Sequence, residues 1–195
     1  MNKSKSDRIA TWLFNPFYYW GGSKLLWIGA GVILLHFPLA YLFDVRFAGA
    51  IDMHVTGVQP ALFTIFSDVS VAWISMSLGL FASAKMFRSP IRLIDIFGAV
   101  GLARFPLLLA IFPAIVFAPD TTDIEELMSI QGAELAWLIA GAFVILLFLI
   151  WFFILLFNAY KINSNLKGWN LGVGFVSAVI VAEVVSLFIL RYLLG

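Results

Sequence analysis

The chain contains no cysteine, only two histidines and only 12% charged residues in its 195 positions. Without cysteine there is no disulfide framework, no thiol nucleophile and no thiolate metal ligand. His36 and His54 lie far apart and lack metal-ligand spacing, so no metal is expected. The formal net charge of +1 leaves no basic excess of the kind that nucleic-acid binding requires, and nucleic acid is not an expected partner. The nucleophile elbow, phosphate-binding loop, paired-histidine zinc and catalytic-dyad patterns are all missing. Gly29-x-Gly31 and Gly172-x-Gly174 follow no strand, and read as sites of close helix packing rather than nucleotide loops. The expectation is a protein that is not an enzyme and carries no cofactor.

What is abundant is apolar. Hydrophobic residues make up 63% of the chain and mean hydropathy is +1.02, against about 45 to 50% apolar residues in an average soluble domain. This is the composition of an integral membrane protein. Backbone groups in hydrocarbon must pair within their own segment, which demands about 20 predominantly apolar residues per helix. Five stretches qualify, at 24–43, 60–84, 93–118, 135–157 and 169–190. The fold class expected is therefore all-α, a bundle of five transmembrane helices forming one domain over 24–195. Residues 1–23 precede it as a cytoplasmic, interfacial segment in which Trp12, Phe14, Phe17, Tyr18, Tyr19 and Trp20 lie at headgroup level. Asn15-Pro16 and Gly21-Gly22 separate this segment from the first span, so it does not read as a cleavable signal peptide.

Positive charge orients the bundle. With the N-terminus cytoplasmic, the inner segments carry nine basic residues, Lys3, Lys5, Arg8, Lys24, Lys85, Arg88, Arg92, Lys161 and Lys167, and the outer ones only Arg46 and Arg191. An odd number of spans puts the C-terminus outside. The connection "APDTTDIEELMSIQGAE", with Asp120, Asp123, Glu125, Glu126 and Glu134, then also falls outside. It lacks the alternating ligands and glycine of a calcium loop and reads as a solvated connection.

The string "MFRSPIRLIDIFGAVGLARFPLLLAIF" (86–112), the acidic loop after it, and "FFILLFNAYKINSNLKGWNLGVGFVSAVIVAEVVS" (152–186) together resemble the second half of the Yip1-domain membrane proteins. The N-terminal "FNPFYYW" resembles the segment that precedes the membrane domain in short bacterial members. The resemblance implies a five-helix bundle with a cytosolic N-terminus, acting in membrane organisation or trafficking-like partner binding. The long N-terminal region of eukaryotic members, with its "DLYGP"-type motif and Rab GTPase binding, has no counterpart here, and the expectation is a prokaryotic member of the cytoplasmic membrane. The partners expected are membrane lipids, a second copy of the chain, or other membrane proteins.

Four ionisable residues fall inside the predicted spans. At about 1.5 Å per residue, Arg104 lies roughly 16 Å from the cytoplasmic end of its span, near the midplane of a core about 30 Å thick. Asp68 lies about 12 Å from the outer boundary, Glu183 about 20 Å and His36 about 17 Å into theirs. Shared depth suggests one buried cluster, with Asp68 or Glu183 as the counter-ion of Arg104. Two readings stand: a structural cluster that fixes helix register, or a path for an ion, proton or substrate, since charges in a membrane cost about 2.5 to 3.5 kcal/mol each on insertion scales and commonly line such paths.

The remaining signals concern packing. Asp68, Ala72, Ser75, Gly79 and Ala82 recur along one face of the second span, and Gly174, Ala178, Ala182 and Ser186 along one face of the fifth, so that backbones can approach closely. Pro106 and Pro113 are expected to bend the third span near Arg104. Asp95, just inside that span, is expected to form an interfacial ion pair with Arg92, and Asn158 to belong to a polar cytoplasmic rim. Functionally, a non-enzymatic protein of Yip1 type competes with a small transporter, channel or lipid-moving protein that uses His36, Asp68, Arg104 and Glu183; a membrane-embedded enzyme ranks last for want of a nucleophile or metal set.

Overall fold

Long apolar sequences fold into helices here because a helix satisfies its own backbone, and the computed structural model, which describes residues 5–119 and 129–194, is built almost wholly from them. The order is α1 (Lys5–Phe14), a 3-10 turn at Pro16–Tyr18, α2 (Gly22–Leu42), strands β1 (Val45–Arg46) and β2 (His54–Val55), α3 (Leu62–Met86), α4 (Leu93–Ala103), α5 (Phe105–Val116), α6 (Gly132–Ser164) and α7 (Gly168–Leu194). Five units, α2, α3, α4 with α5, α6 and α7, are long and apolar enough to cross a bilayer, with mean hydropathies from 1.6 to 3.0. The acidic residues Asp120, Asp123, Glu125 and Glu126 lie outside the described residues.

Two helices, α6 and α7, outrun the apolar stretches expected from the sequence at both ends. α6 spans 33 residues, a length of about 50 Å at 1.5 Å per residue, because hydropathy measures the part that hydrocarbon tolerates, whereas the helix continues through Asn158, Lys161 and Asn163. Asn165, in the left-handed region at φ 55°, then ends it.

Glycine sets the closest approach in the bundle. α2 crosses α4 where Gly29 meets Gly98 and Gly101; a Cβ on Gly98 would stand 2.5 Å from the Leu26 nitrogen, so no side chain fits there. α3 packs on α7 through the small faces anticipated from the sequence, with Gly174, Ala178, Ala182 and Ser186 all buried. A Cβ on Gly79 would lie 3.0 Å from the Ala178 carbonyl oxygen. One position of the α3 row departs: Ala82 is exposed and Ser83 takes the interface, donating to the Gly174 carbonyl at 2.7 Å beside Tyr160.

α6 lies against α4 and α5, and barely touches α7 although only a short turn joins them. The core is a continuous apolar cluster that includes Leu25, Val69, Met76, Ile96, Ile111 and Phe152. Large apolar side chains such as Phe143 (61% exposed) and Phe188 (70%) point outward, as a lipid-facing surface requires.

The third span is broken at the expected place. α4 ends at Ala103 and α5 begins at Phe105, with Arg104 between them. Pro106 has no N–H for the preceding turn, and the Arg104 carbonyl accepts instead from Leu107 at 3.0 Å and Leu108 at 3.3 Å. Pro113 sits within α5 without interrupting it.

Candidate functional site

The connection between α2 and α3 does not stay at the rim. Asp44 adopts a left-handed conformation (φ 52°), and β1 pairs with β2 through Val45 with Val55 and Arg46 with His54. Thr56 closes this hairpin by donating its N–H to the Asp44 carbonyl at 2.9 Å. The chain between the strands tucks inward, leaving Val45, Phe47 and Ala50 essentially without exposure. Four long helices supply the side chains that hold it.

Arg104, presented at the α4/α5 break, is fully buried. Its Nη1 donates to the Ala50 carbonyl at 2.9 Å, and its guanidinium lies 5.8 Å from the centre of the Phe47 ring. Among the described residues its Nε and Nη2 have no hydrogen-bond partner. His36 packs on the same ring with centroids 5.0 Å apart, its Nδ1 2.8 Å from the Val32 carbonyl oxygen one turn earlier. Phe47 thus lies against both of the basic residues in this layer.

The acids go elsewhere than expected. Asp68 does not pair with Arg104. It accepts a two-pronged bond from Arg46, Nε to Oδ2 at 2.9 Å and Nη2 to Oδ1 at 3.1 Å, the planar match between guanidinium and carboxylate. Shared depth fixed the height of Asp68 but not its direction around the helix, and the tucked hairpin brings its own arginine to it. The Asp68 side chain is 1% exposed and that of Arg46 29%. The bond to Asp68 raises the Arg46 guanidinium above its ordinary value, against a smaller opposing effect of partial burial.

Glu183 accepts from the Ile51 N–H at 2.9 Å through Oε2, while the Ser186 hydroxyl accepts from the Ala50 N–H at 3.0 Å. Gly49 lies directly on the carboxylate, where a Cβ would come 2.6 Å from Oε1. Glu183 makes no ion-pair contact with Arg104 among the described residues, yet it is the acid whose charge acts on that cation. The Ala50 peptide lies between them, carbonyl to Arg104 and N–H to the α7 side. The sequence reading found Arg104 and Glu183 but missed Arg46, Phe47, Gly49 and Ala50. Two signals were available: Arg46 is one of only two basic residues in the predicted outer segments, and "FAGA" (47–50) is small and apolar for a solvated connection.

At the opposite end of the bundle the expected pair is present, Arg92 Nε donating to Asp95 Oδ2 at 3.0 Å. Asp95 does more than was anticipated. Its Oδ1 accepts from the Gly22 N–H at 2.7 Å, capping the first turn of α2 from another helix. Asn158 holds the N-terminal segment rather than an open rim, donating to the Phe14 carbonyl at 2.9 Å while Trp151 Nε1 donates to that of Leu13 at 2.9 Å.

A cleft of about 400 Å³ is lined by Ile51 and Asp52 of the inward connection, Leu107 of α5, Ile145 and Leu149 of α6, and Glu183 of α7, among others. A second hollow of about 250 Å³ beside it shares Met53 and Ile145. The chain matches no protein-family model, curated protein or solved structure.

Proposed function

We propose that this chain is a non-enzymatic, multi-pass protein of Yip1 type in a prokaryotic cytoplasmic membrane, acting in membrane organisation by binding partners from within the bilayer. The observation that carries this reading is the cleft lined by α5, α6, the 51–53 segment and Glu183 of α7. The buried ionisable groups support it indirectly. Arg104, Glu183 and the Arg46–Asp68 pair are engaged with the 46–51 segment, which leaves the volume of the cleft open to a ligand.

Photo-crosslinking in native membranes tests it. A photoreactive residue at Leu149, in the cleft wall, is expected to capture a discrete species, lipid or protein, that the same group at the outward-facing Phe143 does not. Identical capture at both positions would refute the reading.

A lipid-moving or small-transporter role is the second reading, favoured by the presence of the Glu183 carboxylate in the cleft wall. Reconstituted vesicles would then show a flux or lipid exchange that Glu183→Gln reduces.

A further inference from the structure

We propose that the cleft between α5, α6 and the 51–53 segment, with Glu183 of α7 in its wall, binds an amphiphile with a primary ammonium head, the ammonium on Glu183 beside Asp52 and the apolar chain along Leu107, Ile145 and Leu149. This deepens the lateral-binding reading above and rests on it. The volume, about 400 Å³, falls within the roughly 300 to 1,000 Å³ of small-molecule sites. Among the described residues the charge in the lining is acidic, with Glu183 and Asp52 among apolar side chains; His54, outside the lining, stands with Nδ1 3.4 Å from Asp52 Oδ2, so Glu183 is the carboxylate there with no basic side chain in ion-pair contact.

Arg104 is fully buried and turned to the Ala50 carbonyl, so a ligand in the cleft does not meet it. The Ile51 N–H occupies one position on Glu183 Oε2, and a carboxylate has about four lone-pair sites. Carboxylates only accept, and a primary ammonium only donates, through three N–H groups. An alcohol brings no charge and a quaternary ammonium no donor, so neither meets both demands. Charge-assisted bonds of this kind are about twice as strong as neutral ones.

The chemistry fits an aminophospholipid headgroup or a free long-chain amine equally. Native mass spectrometry of the full chain in detergent distinguishes them, with dodecylamine, dodecanol, dodecyltrimethylammonium and phosphatidylethanolamine as probes. The expected result is that dodecylamine is retained about tenfold more strongly than the other two dodecyl probes, the size of one charge-assisted hydrogen bond. Glu183→Gln keeps an acceptor for Ile51 and is expected to remove that preference; Asp52→Asn, at a half-exposed side chain outside the helices, is expected to weaken it even if the Glu183 variant fails to fold. Competition by phosphatidylethanolamine would assign the head to a lipid, and its failure to compete to a free amine.

Equal retention of dodecylamine and dodecanol, or a preference untouched by both acid variants, would overturn the inference. Leu149→Trp separates the two levels. If it lowers retention of every dodecyl probe while no head preference exists, lateral binding stands and the ammonium assignment falls; if it changes nothing, both fall.

Discussion

Arg104→Leu is the sharpest perturbation of this bundle, because it asks what an arginine at that depth is for. The substitution removes the Nη1 bond to the Ala50 carbonyl and leaves that carbonyl buried without its donor. A hydrogen bond to a charged group contributes about 1.5 to 3 kcal/mol, and breaking a fully buried charge pair costs about 3 to 5 kcal/mol. Glu183 is partly exposed and makes no direct ion pair here, so the loss belongs between these ranges, at about 2 to 4 kcal/mol.

The partner is read from double variants followed by equilibrium unfolding in mixed micelles. With Glu183→Gln the two effects couple, by about 0.5 kcal/mol or more in the direction of rescue, because the second change removes the acid that the first one orphaned. With Asp68→Asn they add within about 0.5 kcal/mol, since Asp68 belongs to Arg46. A loss below about 0.5 kcal/mol for Arg104→Leu, or rescue by Asp68→Asn in place of Glu183→Gln, would refute the geometry derived above.

Gly98→Ala pushes a Cβ to 2.5 Å from the α2 backbone and is expected to cost about 1 to 3 kcal/mol in detergent melts. Gly31→Ala, with open space at its Cβ, is expected to be neutral or mildly stabilising; equal effects at the two positions would contradict the crossing. Arg46→Ala leaves the 1%-exposed Asp68 carboxylate unpaired and is expected to cost about 3 kcal/mol, the low end for a buried pair because the guanidinium is itself 29% exposed. Its folded-state pKa is raised, so the Arg46 contribution is complete at every pH below the ordinary guanidinium value and disappears only above it. The difference between wild type and Arg46→Ala should therefore stay constant from about pH 7 to 10, and a decline in that window would count against the pair. Reporter fusions after the last residue should be active outside, and activity confined to the cytoplasm would overturn the five-span orientation.

Composition made the helices legible, and small residues made the packing faces legible, because both signals are local to one helix. The α7 row is buried as its spacing indicates, and the break near Arg104 falls beside Pro106. Where a reading needed the direction of a residue around its helix relative to other helices, it failed by single steps. Ser83 replaces Ala82 at the α3/α7 contact, and Gly29 is at the crossing whereas Gly31 two residues on faces open space. Of the two counter-ions offered for Arg104, Asp68 or Glu183, the Asp68 alternative falls for the same reason on a larger scale, since Asp68 pairs with Arg46. Depth is one coordinate of three, and a partner arriving from a connecting segment has no helical period from which its position could be read.

The inward hairpin also explains why the charges are tolerated together. Within a helix most carbonyls already accept one bond, so the non-helical Ala50 carbonyl offers the buried guanidinium a readier acceptor. Non-helical backbone at the depth of Arg104 and Glu183 is itself costly unless each N–H and carbonyl is met by protein. The two costs offset each other here. Arg104 supplies a donor to the Ala50 carbonyl, Ser186 and Glu183 accept the N–H groups of Ala50 and Ile51, and Arg46 comes in with the same segment to satisfy Asp68. Gly49 allows the contact to close because its bare Cα lies against the Glu183 carboxylate. The segment so fixed carries Ile51 and Asp52 into the cleft wall. A change at Arg104 therefore acts on the cleft through the hairpin backbone, and its effects on ligand retention and on stability should rise together, whereas Asp52, whose partner is the half-exposed His54 at 3.4 Å, should alter retention with little change in stability.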